Sequence, residues 1–283
     1  MVKRIITAIV ALAVFIPILY FSSTWVFPIA MAACTAIGVW EMIACIGQKK
    51  NFFLTIPLCL ASLFMPIFMR FCGNNLQKIF GGAVMLIIIV ALYILSVAVF
   101  ANKTLSVGDA GVLFTSFVYI SAAYSSAVYI RDFSDNGHIL VLLPFIIAWV
   151  TDSAAYFSGR FFGKHKLIPA VSPKKTVEGA IGGTIFGALV TVAFAFVIER
   201  LFDPEGVIGA NYVAFIICGL IMPIVGQIGD LIMSVIKRNY NIKDYGNVFP
   251  GHGGMLDRFD SALANLLVLA MICSFSQMLP MVG

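Results

Sequence analysis

Residues 79–100 read IFGGAVMLIIIVALYILSVAVF, an unbroken apolar run without one charged side chain. A helix needs about 20 mostly apolar residues to cross the hydrocarbon core of a bilayer. Outward from this run, eight more of the same kind occupy roughly 4–21, 24–46, 52–70, 108–130, 138–159, 176–199, 209–236 and 259–280. The chain therefore reads as all-α, a polytopic integral membrane protein of about nine transmembrane helices. The first run lacks a small-residue cleavage site and is too long for a secretory signal, so it reads as retained.

Composition supports the same conclusion. The 283 residues are 61% hydrophobic and 11% charged, with a mean hydropathy of +1.03. A soluble domain carries about 25% charged residues to cover its surface. Eighteen basic and 13 acidic residues cannot clothe a soluble globule of this length. Lipid must be the solvent, which excludes a soluble enzyme, a nucleic-acid binder, a disordered chain and a secreted disulfide scaffold. Cys34, Cys45, Cys59, Cys72, Cys218 and Cys273 lie scattered in apolar runs and read as small buried residues, not as a zinc or disulfide framework.

The basic residues fix an orientation. With nine spans and the N-terminus inside, the cytoplasmic segments hold Lys3, Arg4, Lys49, Lys50, Lys103, Arg160, Lys164, Lys166, Lys174, Lys175, Lys237, Arg238, Lys243 and Arg258. The other side keeps Arg70, Lys78, Arg131 and Arg200, a split of 14 to 4. A miscounted span would invert everything after it and spoil that split. Residues 150–260 hold 19 of the 31 charges. Residues 1–107 read as a scaffold of N-terminal membrane helices, and 108–283 as a catalytic membrane region with a polar cavity open to the cytoplasm. No internal repeat suggests an inverted-repeat transporter.

Three clusters break the apolar pattern. At the end of the sixth run, Asp152, Tyr156 and Gly159 recur at helical spacing, followed by Arg160. A carboxylate there costs free energy unless it faces a cavity or a partner. The second cluster is Ser172-Pro173-Lys174-Lys175-Thr176-Val177-Glu178-Gly179. Pro173 stops a helix before it, Ser172 or Thr176 can cap the helix after it, and Glu178 sits in the first turn, where the dipole favours an acid. Free N–H groups beside Lys174 and Lys175 suit an anion. Gly179, Gly182, Gly183 and Gly187 are spaced for close helix packing.

The third cluster starts with Gln227, Gly229 and Asp230, continues through Ser234, Lys237, Arg238, Lys243 and Asp244, and ends in Pro250-Gly251-His252-Gly253-Gly254-Met255-Leu256-Asp257-Arg258-Phe259-Asp260. Asp257 and Asp260 share one side of a helix. If Asp230, Asp257 and Asp260 met in one cavity, each pair would cost about 4 kcal/mol at 4 Å and an effective dielectric near 20. Protonation or a cation must relieve that repulsion. Oxygen ligands suit a hard ion, and Mg²⁺ fits. Carboxylates, Mg²⁺ and several Lys and Arg are the equipment of phosphoryl or nucleotidyl transfer.

Ser234 to Asp260 resembles the signature of the membrane-bound phosphatidate cytidylyltransferases (CDP-diacylglycerol synthases) of bacterial type. The match rests on Ser234, Lys237, Arg238, Lys243, Asp244, Gly246, Pro250, His252, Gly253, Gly254, Asp257, Arg258 and Asp260. The Ser172–Gly179 block and the Asp152/Tyr156 stretch look similar to the same family. The first 140 residues match only as generic membrane helices. The resemblance implies that CTP and phosphatidate yield CDP-diacylglycerol and pyrophosphate in phospholipid biosynthesis. It also implies a Mg²⁺ requirement, a monovalent cation such as K⁺ nearby, and a homodimer in the bacterial inner membrane that binds no nucleic acid. On this reading Asp230 and Asp257 ligate the cation, with Asp260 and Asp152 as further carboxylates. Lys174, Lys175, Lys237, Arg238 and Arg258 neutralise phosphates, and Ser172 and Ser234 hydrogen-bond phosphate oxygens. Thr176, Glu178, Lys243 and Tyr156 complete the substrate site, and His252 positions phosphate or leaving group.

Three rivals make distinct demands. The same chemistry on another lipid phosphate would leave the signature unchanged. A transporter of an anionic solute would need polar residues in several spans at the midplane, and the first five runs offer almost none. A CDP-alcohol phosphotransferase would show an Asp-x-x-Asp-Gly motif, which is absent.

Overall fold

The computed structural model describes residues 10, 13–73, 75–100, 105–202, 211–251 and 253–275. Their helices are α1 (Val26–Cys45), α2 (Phe52–Cys72), α3 (Leu76–Phe100), α4 (Val107–Phe133), a short α5 (Gly137–Leu140), α6 (Leu143–Phe162), α7 (Val177–Phe202), α8 (Tyr212–Asn239) and α9 (Leu256–Phe275). Among the described residues, eight spans are long and apolar enough to cross a membrane, with α5 and α6 forming one, Gly137–Phe162. They coincide with eight of the nine apolar runs. The remaining run, 4–21, lies partly outside the described residues, and 13–20 are helical. The protein is a multi-pass membrane protein.

The burial pattern explains why these helices need lipid. In α3 the buried residues are Val90, Ile94 and Ala98, one narrow stripe at helical spacing. Phe80, Leu92, Val99 and Phe100 of the same helix are exposed. A helix that is apolar all round, yet packed along one stripe, is stable only with hydrocarbon around the rest. Pro57 and Pro66 lie inside α2 and Pro223 inside α8, as membrane helices tolerate.

By packing, the chain groups into two compact units: residues 1–132 with 239–259, and 133–238 with 260–283. In the first unit α1 packs along α2, and α2 along α3. Arg70 closes one end of it, pairing with Asp132 at 2.7 Å and donating to the carbonyl of Ser22 at 2.8 Å.

In the second unit α6 and α7 pack most closely, and glycine permits it. A Cβ on Gly179 would stand 2.7 Å from the Ala155 carbonyl oxygen, and one on Gly183 would stand 2.8 Å from that of Thr151. Both are closer than real Cβ atoms come, so the small-residue face of α7 is what lets the backbones meet.

One element departs from the all-α expectation. Lys166–Ile168 (β1) and Ser172–Thr176 (β2) form an antiparallel hairpin, with Lys166 opposite Thr176 and Ile168 opposite Ser172. A two-stranded sheet consists only of edges, so Pro173 costs β2 no inner ladder bond. Of the two possible caps for α7, Thr176 is the one used: its Oγ1 accepts the Gly179 N–H at 3.1 Å.

Candidate active site

In the second unit, polar side chains from α6, β2, α8 and α9 gather. Asp230 lies on α8 with Ser234 one turn later, and the Ser234 hydroxyl donates to Asp230 Oδ1 at 3.3 Å. The Lys175 ammonium, carried on β2, pairs with Asp230 Oδ2. Asp260, early in α9, lies within electrostatic reach of Asp230, Asp152 and Lys237. Its Oδ1 accepts the Ser261 N–H at 2.9 Å, and the Ser261 hydroxyl donates to Asp152 Oδ2 at 3.4 Å. Three carboxylates and two ammonium groups thus share one neighbourhood. Like charges repel there and unlike charges attract.

The hairpin is held at both ends. Arg238 Nε donates to the Val171 carbonyl in the hairpin turn at 3.3 Å. At the open end, Glu178 accepts the backbone N–H of His165 at 3.2 Å and faces its ring Nδ1 at 2.7 Å. Glu178 therefore closes the hairpin as well as sitting in the first turn of α7. Ser172 is half-buried and Lys174 exposed on β2. Tyr156 is exposed on α6 and accepts a hydrogen bond from Arg160 at 3.4 Å.

Beside the hairpin an apolar groove of about 460 Å³ runs between α7 and α8. Leu167, Ile168, Ile181, Ile185, Ile228 and Leu231 line it. Gln227 crosses its floor, donating to Thr184 Oγ1 at 3.1 Å and to the Ala180 carbonyl at 3.3 Å.

The first unit carries the rest of the signature. The segment after α8 turns through Gly251 and Gly253, both left-handed with φ near 80° and 90°, a conformation that favours glycine. Asp257, buried in the first turn of α9, accepts the N–H of Tyr245 at 2.7 Å and of Gly254 at 2.9 Å on Oδ2. It thereby ties the ends of its own loop together. Lys243 and Arg258 are exposed, and His252 lies outside the described residues. Tyr240 donates to Asp109 Oδ1 at 2.6 Å. Burial, helped by that acidic partner, pushes the Tyr240 phenol well above its usual range.

Asp257 and Asp260 thus share a helix side but differ in setting: Asp257 accepts two N–H groups of its own loop, whereas Asp260 accepts the Ser261 N–H and lies among charged side chains. Sequence reading missed Glu41. It is wholly buried on α1, and its carboxylate accepts the backbone N–H groups of Met255 and Leu256. The available signal was a lone acid in the otherwise uncharged run 24–46.

Among the described residues no three His, Cys, Asp or Glu side chains form a cage sufficient for a metal. Mg²⁺ does not require one: it takes one or two carboxylates and completes its shell with water and substrate phosphates. The oxygen-only donors around Asp230 and Asp260 fit that habit.

The fold and these groups define a class: a polytopic membrane protein with a charged site suited to phosphate chemistry. The chain belongs to the cytidylyltransferase family, whose model matches residues 2–276. It is 31% identical to the phosphatidate cytidylyltransferase of Bacillus subtilis (strain 168) over 264 residues, covering 93% of this chain and 94% of that one. To the phosphatidate cytidylyltransferase of Staphylococcus haemolyticus it is 32% identical over 277 residues, covering 95% and 99%. The enzyme of that name from Staphylococcus epidermidis is 32% identical over 268 residues, with 94% and 96% covered.

Proposed function

We propose that this enzyme transfers a cytidylyl group from CTP to phosphatidate, giving CDP-diacylglycerol and pyrophosphate. A phosphate oxygen of phosphatidate attacks the α-phosphorus of CTP. A new P–O bond forms, the bond to the β-phosphate's bridging oxygen breaks, and pyrophosphate leaves with that electron pair. The nucleophile is already anionic, so no strong general base is required. The observation that carries this reading is the Lys175–Asp230 pair with Ser234, Lys237 and Asp260 around it. Such a group of charges on helices otherwise built for lipid is retained for function.

Lys174, Lys175, Lys237, Arg238, Lys243 and Arg258 offset phosphate charge as it moves towards pyrophosphate. Ser172 and Ser234 donate to phosphate oxygens, and Arg238 also steadies the hairpin that presents Lys174 and Lys175. Asp230 would hold Mg²⁺, with Asp260 as a neighbouring carboxylate, and Asp257 is the second ligand that the family resemblance implies. When bound, the ion neutralises phosphate charge and orients the triphosphate. A monovalent cation such as K⁺ accompanies it. Thr176 and Glu178 fix the start of α7, while Asp152 and Tyr156 border the substrate. His252 positions phosphate or the leaving group.

The apolar groove beside the hairpin takes an acyl chain of phosphatidate, so that the lipid phosphate lies near Lys175. The N-terminus and the active site face the cytoplasm of a bacterial inner membrane, as the 14-to-4 distribution of basic residues supports. The enzyme works as a homodimer. Mass spectrometry of the lipid extract after incubation with CTP, Mg²⁺ and dioleoyl phosphatidate tests the reaction. The expected product is dioleoyl CDP-diacylglycerol, and unchanged phosphatidate would contradict it.

A further inference from the structure

An acid buried in a membrane helix survives only where something pairs with it. On Glu41 both oxygens serve the backbone of one distant loop: Oε1 accepts the Met255 N–H at 2.8 Å, and Oε2 accepts the Leu256 N–H at 2.9 Å. These groups lie at the very start of α9, where a helix leaves its N–H donors without partners and carries partial positive charge. The loop is shaped to admit the acid. A Cβ on Gly246 would stand 2.6 Å from Glu41 Oε1, and one on Gly254 would stand 2.7 Å from Oε2. No larger residue at either place would leave the carboxylate where it is.

Asp257 completes the arrangement from the loop side by accepting the N–H groups of Tyr245 and Gly254. Two carboxylates therefore absorb four backbone donors of one segment. The Met255 and Leu256 N–H groups at the start of α9 are thus taken by Glu41.

We propose that Glu41 is a positioning residue for the segment 244–257. It holds the first turn of α9 in place, and so sets where Asp257 and Arg258 stand, without touching substrate. The inference gives the N-terminal helices a part in catalysis and rests on the cytidylyltransferase reading above.

The test is Glu41→Gln in the full-length enzyme, which keeps shape but replaces one acceptor oxygen with an amide NH₂, a donor. Backbone hydrogen exchange and steady-state kinetics are read together. Faster exchange should be confined to peptides spanning 244–258, with those from α2 and α3 unchanged. Turnover per folded molecule should fall on the order of a hundredfold, while KM for CTP and phosphatidate stays within about threefold. Gly246→Ala, which presses on the same carboxylate from the loop side, should reproduce the pattern. It carries the test alone if Glu41→Gln does not fold. Unchanged exchange at 244–258 would overturn the proposal. So would exchange raised evenly over the first unit with normal turnover per folded molecule. A wild-type enzyme without CTP- and phosphatidate-dependent turnover would sink the functional reading, while the exchange data would still decide what Glu41 holds.

Discussion

The ammonium of Lys175, on the second strand of a small hairpin, rests on the carboxylate of Asp230, in the C-terminal half of a membrane helix. The pair joins an element that sequence alone reads as a basic loop to one that it reads as a span. It also presents a cation and an anion side by side, which the proposed function assigns to the triphosphate and to a hard metal ion. Lys175→Met and Asp230→Asn should each lower kcat on the order of 10²–10³-fold. The double variant should be little worse than the more damaged single one, because the two act as a unit. Steady-state kinetics on the three proteins checks this, and additive losses would separate the two roles.

Asp257 holds Tyr245 and Gly254 through one oxygen. Asp257→Asn keeps the shape but weakens charge-assisted acceptance. The expected cost in stability is about 1–3 kcal/mol. Turnover should nevertheless be abolished in a protein that still folds, as thermal unfolding in detergent would show. Substantial activity in that variant would remove Asp257 from the cation site.

The groove beside the hairpin makes a prediction about chain length. Ile181→Trp fills part of it and should raise KM for dioleoyl phosphatidate by about tenfold, roughly the loss of two buried methylene groups. A dihexanoyl phosphatidate, too short to depend on the groove, should be affected far less. Equal effects on both lipids would place the acyl chain elsewhere.

The close approach of α6 and α7 is equally open to test. A Cβ on Gly183 meets the Thr151 carbonyl oxygen at 2.8 Å. Gly183→Val should therefore destabilise the fold by about 1–3 kcal/mol, the usual cost of overpacking. Surviving molecules should turn over normally, so yield and melting temperature should fall while kcat per folded enzyme does not.

The spans were legible because length and apolarity suffice to mark a membrane helix, whatever packs against it. Thr176 as a cap was legible because it acts on Gly179, in the next turn of the chain; the glycines of α7 were legible from their own spacing, although their partners Ala155 and Thr151 lie on another helix. The hairpin was not, since three-residue β1 carries no periodic pattern and Pro173 argues against a strand until one sees that both strands are edges. Glu41 was illegible for another reason: its partners lie 214 and 215 residues away in sequence. A lone acid in an apolar run signals that a partner exists but not which one. Asp257 and Asp260 show the limit of spacing arguments. Three residues apart on one helix, Asp257 ties its own loop together and Asp260 joins a cluster of charged side chains.

The enzyme's reaction is CTP-dependent activation of phosphatidate. Its most direct test is pyrophosphate release by purified enzyme in detergent, supplied with CTP, Mg²⁺ and dioleoyl phosphatidate and then deprived of each in turn. Release that requires all three is the predicted result. Release without phosphatidate, or none with all three present, would contradict the account.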